Sequence, residues 1–537
     1  MATVETVASE KVETRSEAPT ATASTEVART AGRGGLAVAF AKAYFIGVGL
    51  VQQVLLKAVL GLDGFGALSS VLSIASITYN PIVSTSIQGV SRAVAQASDA
   101  ERPAVVRRTF TVHAVLAISV AAGFFLLAPL IGGWVGAPHI VPGLRILSAV
   151  MLIYGLYTPL VGVLNGRKRF VHQAGFDMLA ATLRTTGLIL GGYLLSRQAG
   201  RGVEGASIGF VAGSSVVLGA ALLVVGIGKR GRGGSTVREH VAFIAPLLFG
   251  QVVLNLLLQA DLTLLRAFAA IAAERAGLPV LAADPLVGAY RATQLFCFLP
   301  YQLLLAVTFI LFPMLASAQR DGDRAAVGRY VQGGIRLAML VAGAMVSVTA
   351  GLPGPLLTLV FGADVAALAT RSMSLLALGF GVFAILGVLT TVLNSLKRER
   401  ASAWLTLGAF VLVVSLCISR VYGQPFGPGL LFQTAIATSA GLVVATVIAA
   451  VLVFRTAGAV VAWSSLGRVV MALAAALAVA RLLPPIAVVG KATYAIWLAG
   501  YAGAVVAVYA LVLIVSRELG RRDVENVRAV FARRRGR

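Results

Sequence analysis

AFIAPLLFGQVVLNLLLQADLTLLRAFAA, residues 242–270, and LVGAYRATQLFCFLPYQLLLAVTFILFPML, residues 286–315, are two apolar runs joined by a short link. Each is long enough to cross a bilayer, for which roughly 20 apolar residues suffice. Both carry polar groups that an isolated membrane helix would exclude: Gln251, Asn255, Gln259, Asp261 and Arg266 in the first, Arg291, Gln294 and Gln302 in the second. An ionisable side chain at such depth costs a few kcal/mol to insert and faces a cavity or a partner. On a helix, Gln251, Asn255, Gln259 and Arg266 fall within one arc of roughly 80°. Arg291, Gln294 and Gln302 share a face in the same way. Two neighbouring helices with such stripes either form a polar seam between packed helices or wall a watery, cationic cavity. Asp261, Arg266 and Arg291 favour the cavity.

Composition agrees with a membrane setting. Of 537 residues, 58% are hydrophobic and 12% charged, about half the charged share of a soluble domain. The net charge of +24 does not point to nucleic acid, because the basic residues come in short bursts between apolar runs, as membrane topology requires. Cys297 and Cys417 both lie in apolar runs, so no disulfide framework is implied. No cluster of Cys and His predicts a metal or other cofactor site.

About 14 runs are long enough to span, so the fold class expected is an all-α integral membrane protein. Six lie between residues 36 and 226, six between 242 and 454, and two more near 469–483 and 494–516. If the N-terminus lies inside, the inner segments hold about 31 Lys and Arg and the outer loops about 7, the bias expected of a multi-pass protein with both termini in the cytoplasm. The fourth run closes with VLNGRKR (163–169) and the tenth with VLNSLKR (392–398), identical at five of seven positions. An even-numbered block keeps both copies in one orientation, predicting two six-helix halves related by a pseudo-two-fold axis along the membrane normal. The expected division is a disordered cytoplasmic tail (1–35), halves at 36–228 and 229–455, two additional helices (456–516) and a basic cytoplasmic tail (517–537). That last tail places Val524, Val527, Val530 and Phe531 near one helical face, suited to an anionic leaflet or simply solvated.

Short motifs carry a family resemblance. Leu60-Gly61 with Gly64-Phe65-Gly66, Gly89-Val90-Ser91-Arg92, Val287-Gly288-Ala289-Tyr290-Arg291-Ala292, Phe312-Pro313 and Val392-Leu393-Asn394 resemble the multidrug/oligosaccharidyl-lipid/polysaccharide (MOP) exporter superfamily, over roughly residues 36–455. The polysaccharide transporter branch is the most similar. The resemblance implies a flippase of the cytoplasmic (inner) membrane that moves an oligosaccharide linked to polyprenyl diphosphate, for cell-surface polysaccharide synthesis. It also implies membrane lipids, and a polysaccharide polymerase with its chain-length machinery, as partners.

The sign of the buried charge agrees with an anionic substrate. The runs hold Lys42, Lys57, Arg145, Arg184, Arg266, Arg291 and Arg336 against only Asp177 and Asp261. Lys57, Arg145, Arg336 and Asp177 lie near run ends, where they can snorkel to the interface. Lys42, Arg184, Arg266 and Arg291 lie deeper and are the candidate ligands for a diphosphate, whose oxygens match arginine forks. Gln53, Asn255, Gln259 and Gln294 are the candidate polar lining. Asp261 is either an ion-coupling site or the partner of Arg291 or Arg184. Three other readings stay open: a peptidoglycan-precursor flippase, a membrane polymerase or glycosyltransferase, and a multidrug antiporter. No outer loop offers an evident catalyst, which disfavours the enzyme. A cationic cavity disfavours the antiporter.

Overall fold

The computed structural model describes residues 21–199, 201–231, 233–487 and 490–520. Of the expected tails, 1–35 and 517–537, residues 1–20 and 521–537 lie outside the described residues. Fifteen α-helices occur among them: α1 (Ala21–Gln96), α2 (Arg102–Trp134), α3 (Val141–Gly166), α4 (Phe170–Ala199), α5 (Gly202–Val225), α6 (Val237–Arg275), α7 (Asp284–Cys297) and α8 (Leu299–Arg320). They continue as α9 (Arg324–Gly351), α10 (Pro353–Val360), α11 (Ala363–Ser395), α12 (Glu399–Val421), α13 (Pro428–Ala457), α14 (Trp463–Leu482) and α15 (Lys491–Val515). No strand occurs among the described residues. Bilayer hydrocarbon offers no water to free backbone groups, so helices that satisfy their own are the available solution.

Twelve of these helices are long and apolar enough to cross a membrane, and two features account for the difference from about 14 runs. The runs at 36–60 and 66–90 form the single helix α1, which reverses direction at Gly61 (φ 72°, ψ −179°). A side chain at Gly61 would meet nothing, so glycine is required there for its backbone angle alone. The run at 286–315 is instead divided between α7 and α8 at Phe298, just before Pro300. Proline within the first turn of α8 lacks the amide that would continue α7. α1 also opens at Ala21, inside the stretch expected as a tail.

The sequence repeat has a structural counterpart. Lys168 (φ 58°) and Lys397 (φ 60°) both take left-handed backbone angles. Around them the Arg169 amide donates to the Leu164 carbonyl at 2.9 Å, and the Arg398 amide to the Leu393 carbonyl at 2.9 Å. Both turns cap the orphan carbonyls of a helix, α3 in one case and α11 in the other. They lie at the same end of the bundle, hereafter the Arg167 end. The opposite end carries Asp284.

Two devices hold the helices together. Gly187 and Gly191 of α4 face Gly209 and Gly205 of α5, so closely that a methyl group on any of them would overlap a backbone carbonyl across the pair. Small residues at four-residue spacing allow such contact, and dispersion then acts over the full interface. The terminal pair α14 and α15 is fastened to α9 by Glu518, which accepts from Arg336 at 2.8 Å, Ser465 at 3.0 Å and Arg468 at 3.2 Å. Arg336 therefore has a carboxylate partner and does not simply snorkel. Partial burial works to raise the pKa of Glu518, but these hydrogen bonds outweigh it and hold the carboxyl below the usual glutamate range.

The α4/α5 contact makes a clear prediction. Gly209→Val should lower the thermal unfolding temperature of the detergent-solubilised protein, at an overpacking cost of about 1–3 kcal/mol. Gly219→Val, in open space on the same helix, should leave it unchanged.

Candidate functional site

The seam between the second arm of α1 and α6 sets the frame. Gly89 packs against Ile244 and His240, Asn80 donates to Asn255 at 3.0 Å, and Ser73 donates to Gln259 at 2.8 Å. As numbering rises on α1 it falls on α6, so the two run antiparallel through the core of the bundle. Asn255 and Gln259 thus serve as a polar seam, the alternative reading of the stripe.

Near the Asp284 end the two expected halves meet through backbone. Gly66 of α1 lies against the Asp284 carbonyl and the Gly288 amide of α7. The motif Gly64-Phe65-Gly66 and the motif Val287-Gly288-Ala289 are therefore two sides of one contact. Arg266 is fixed beside it, 1% exposed. It donates to the carbonyls of Gly136 and Val280, both at 3.2 Å, and lies 3.2 Å from the Asp284 carboxylate. That ion pair is off the hydrogen-bond axis, which leaves Nε and one terminal nitrogen of Arg266 without a hydrogen-bond partner. His139 contacts the other oxygen of Asp284 at 2.9 Å. A second ion pair, Lys57 to Asp364 at 2.8 Å, ties α1 to α11 at the same end, so Lys57 too has a partner.

Asp261, 1% exposed, pairs directly with neither Arg291 nor Arg184. Its carboxylate accepts from the Tyr290 hydroxyl at 2.9 Å, from Gln294 Nε2 at 3.1 Å to both oxygens, and from the Leu262 amide at 2.8 Å. Arg291 donates to Gln294 Oε1 at 3.1 Å. Gln294 is thus a bridge: its amide nitrogen serves the acid and its carbonyl serves the base. This arrangement keeps Asp261 hydrogen-bonded while the Arg291 charge stays available, and Arg291 is only half-buried.

The second available guanidinium is Arg184 of α4. It lies 5.0 Å over the Phe45 ring and 5.9 Å from the Phe210 ring, and its Nε is buried without a hydrogen-bond partner. Tyr79 of α1 shares a neighbour with Arg184: its ring lies 6.2 Å from that of Phe210. A separate shallow cavity of about 460 Å³ lies between α1 and α4, lined by Tyr44, Val48, Val51, Leu55, Thr185 and Ile189 among others.

Of the remaining candidates, Gln53 is half-buried on α1, while its neighbour Gln52 is the residue that accepts from Thr185 of α4 at 3.0 Å. Lys42 lies on α1 and its side chain is outside the described residues. Tyr79, Tyr290 and Asp284 were missed in the sequence. Tyr290 stands four residues before Gln294, hence on its helical face, and Ser73 and Asn80 form a stripe on α1 that the same periodicity reveals.

Removing Asp284 should expose the dependence of this end on one carboxylate. Asp284→Asn leaves the Arg266 charge buried and unpaired, which should destabilise by about 3–5 kcal/mol, read as a fall in thermal unfolding temperature. Adding Arg266→Gln should recover much of the loss. A double variant no more stable than Asp284→Asn would contradict this assignment.

Residues 58–268 match the sequence model of a family described as polysaccharide biosynthesis protein. No curated protein matches the chain. Among solved structures it is similar to the lipid II flippase MurJ in an inward closed conformation, with a TM-score of 0.70 at 14% identity over 90% of this chain and 99% of that one. It is also similar to an inward-facing multidrug resistance MATE family transporter, TM-score 0.60 at 16% identity over 76% and 94% of the two chains. A third is a MOP superfamily transporter from Pyrococcus furiosus, described as having a binding pocket of reverse polarity, with TM-score 0.58 at 14% identity over 79% and 96%. At these identities the likeness is one of fold. The fold is the one shared by these membrane transporters, and residues 58–268 are similar to the polysaccharide biosynthesis family.

Proposed function

We propose that this protein flips a polyprenyl-diphosphate-linked oligosaccharide across the cytoplasmic membrane. The observation that carries the reading is that Arg184 and Arg291, one in each expected half, meet aromatic rings and a neutral amide, and no carboxylate pairs directly with either among the described residues. A diphosphate between them would bind both halves at once and couple head-group binding to their movement. Asp261 is held by three donors and does not neutralise Arg291 directly, so the site keeps a net positive charge suited to phosphate oxygens. Arg266, which the sequence also offered as a ligand, is assigned to the closure at the Asp284 end. An ion at Asp261 would have to displace the Tyr290 or Gln294 donor, which leaves its coupling role secondary in this reading. The apolar cavity between α1 and α4, lined by Val48, Val51, Leu55 and Ile189, is where an isoprenoid chain would stay in lipid.

A peptidoglycan precursor is the second reading, favoured by the similarity to a lipid II flippase over nine-tenths of the chain. It shares the polyprenyl diphosphate, so the test must vary the sugar. Cells lacking the protein should accumulate a lipid-linked oligosaccharide in the inner leaflet, with peptidoglycan precursor turnover unaffected. Accumulation of the precursor instead would select the second reading. In the same assay, Arg291→Ala should reduce flipping by about 10- to 100-fold, the worth of one charge-assisted hydrogen-bond pair, and Arg291→Lys by less. Arg291→Ala with Asp261→Asn should remain inactive. Full activity of that double variant would show that Arg291 only balances the acid.

For orientation we propose fourteen crossings, with the Arg167 end and both termini in the cytoplasm, on the strength of the basic residues gathered there. A cysteine replacing Glu274 should react with an impermeant reagent in intact cells, and one replacing Arg167 should not. The opposite pattern would invert the topology.

A further inference from the structure

The repeated turns that end α3 and α11 differ at one position in a way the turn does not require. VLNGRKR (163–169) has Arg167 where VLNSLKR (392–398) has Leu396. Leu396 is 5% exposed and belongs to the hydrophobic core, so an apolar side chain serves the turn there. Arg167 is half-buried at the same place, beside an apolar cluster: Val163, one turn before it, packs with Val90 and Val94 of α1 and with Val105 and Val106 of α2. Gly166 lets the end of α3 lie against the Ser91 carbonyl and Val94 of α1. The end of α1, the start of α2 and the end of α3 thus meet next to Arg167.

We propose that Arg102, Arg167 and Arg169 form a binding site for a phosphate group, separate from Arg184 and Arg291 and independent of what the transporter carries. The Arg167 guanidinium has no hydrogen-bond or ion-pair partner among the described residues, and its Nε is closed to water. Arg102 of α2 is also closed and unbonded at Nε, while its Nη1 contacts Asp99 at 2.5 Å. The Asp99 side chain is 89% exposed, so water weakens that pair. Glu101 is taken up by the Ser98 hydroxyl at 2.8 Å and the Gly234 amide at 2.9 Å. These two are the only acidic residues between Gly64 and Phe176, and Asp177 stands about 12 Å further along α4 than Arg169.

The surroundings add positive charge. The link from α5 to α6 crosses the start of α2, where the Lys229 amide donates to the Pro103 carbonyl at 3.1 Å, and it brings Lys229 and Arg230 to the same corner. Burial, and then the charges of Arg169 and Arg102, hold the Arg167 guanidinium below the usual arginine range. A cation stripped of water on one edge and set among other cations is relieved by an anion at its open edge. Converging guanidinium forks match the several oxygens of a phosphate. The level of the site selects a phosphate carried by lipid. α3 has 26 residues and is about 39 Å long, against a hydrocarbon core of about 30 Å, so its end emerges among head groups. A phosphate held there would tie the start of α2 to the end of α3. The second half, with Leu396, has no counterpart. Inorganic phosphate offers the same chemistry from solution, and the two sources differ in what they require of the lipid.

The test measures lipid affinity on the full chain in detergent by native mass spectrometry, titrating phosphatidylglycerol or phosphatidylcholine and reading the first lipid bound. Phosphatidylglycerol should bind more tightly, and Arg167→Leu should weaken it by about tenfold or more, the worth of one charge-assisted hydrogen bond. Leucine is what the second half carries at this place, so the variant should unfold at the temperature of the unsubstituted protein. If it does not, Arg169→Gln, just before α4 and exposed, carries the same expectation. Arg167→Lys keeps the charge without the fork and should fall between. Arg398→Leu, in the turn of the second half, should change nothing. Inorganic phosphate that stabilises the protein in phosphatidylcholine against thermal unfolding, with the effect lost in Arg167→Leu, would keep the site and give it a soluble ligand. Equal binding of the two lipids with no effect of phosphate, or undiminished phosphatidylglycerol affinity in folded Arg167→Leu, would overturn the proposal.

Discussion

Water is absent from the bilayer core, and that one constraint decides how this protein spends its few polar side chains. A buried donor or acceptor without a partner costs roughly 1–3 kcal/mol, and a charge costs more. The seam of α1 and α6 meets the constraint in pairs: Ser73 with Gln259, Asn80 with Asn255, and His113 with His240 and Ser86. All but the Ser86–His113 contact join residues more than a hundred positions apart, and each specifies one register between helices whose apolar surfaces would slide. Charge is treated likewise, with Lys57 on Asp364, Arg266 on Asp284 and Arg336 on Glu518.

Against that background the arginines separate into two classes. Arg266 and Arg336 have carboxylates within reach, and their neighbours are backbone carbonyls or helix ends. Arg184 is offered aromatic rings, and Arg291 a neutral amide. A guanidinium held by rings and amides is positioned without being neutralised. Burial alone does not reveal this difference, since Arg266 is the most enclosed of the four. The identity of the partner does.

Much of the architecture was legible in the sequence because membrane helices announce themselves by length and hydropathy. The motifs Gly64-Phe65-Gly66 and Val287-Gly288 were visible too, but their mutual contact was not, because sequence periodicity says which face a residue is on and not which helix that face meets. The reversal at Gly61 and the break at Phe298 left only short punctuation in long apolar runs. For the site, the stripe on α6 was read correctly as polar, yet Asn255 and Gln259 turned out to serve the seam, because the complementary Ser73 and Asn80 were not weighed. Arg266 and Arg291 looked equivalent by depth. Asp284, which separates them, stands at a helix start where a carboxylate is unremarkable. That Arg184 would meet rings could not be told from sequence, since Phe45 and Phe210 stand on two other helices.

The left-handed turns link fold to orientation by a physical route. Lys168, Lys397 and Arg517 are the three non-glycine residues with positive φ among the described residues, at the ends of α3, α11 and α15. Glycine would spare each turn about 1 kcal/mol of backbone strain, yet all three are basic. A cation at a helix C-terminus interacts favourably with the helix dipole, by about 0.3–1 kcal/mol, which offsets most of that strain. The remainder comes from outside the helix. These ends lie together at one face of the bundle, and each basic residue near an anionic leaflet contributes about 1 kcal/mol. The same side chains therefore cap a helix and bias insertion. Glycine at these positions would cap equally well, so in the orientation proposed above the residue type follows from membrane sidedness rather than from the turn it makes.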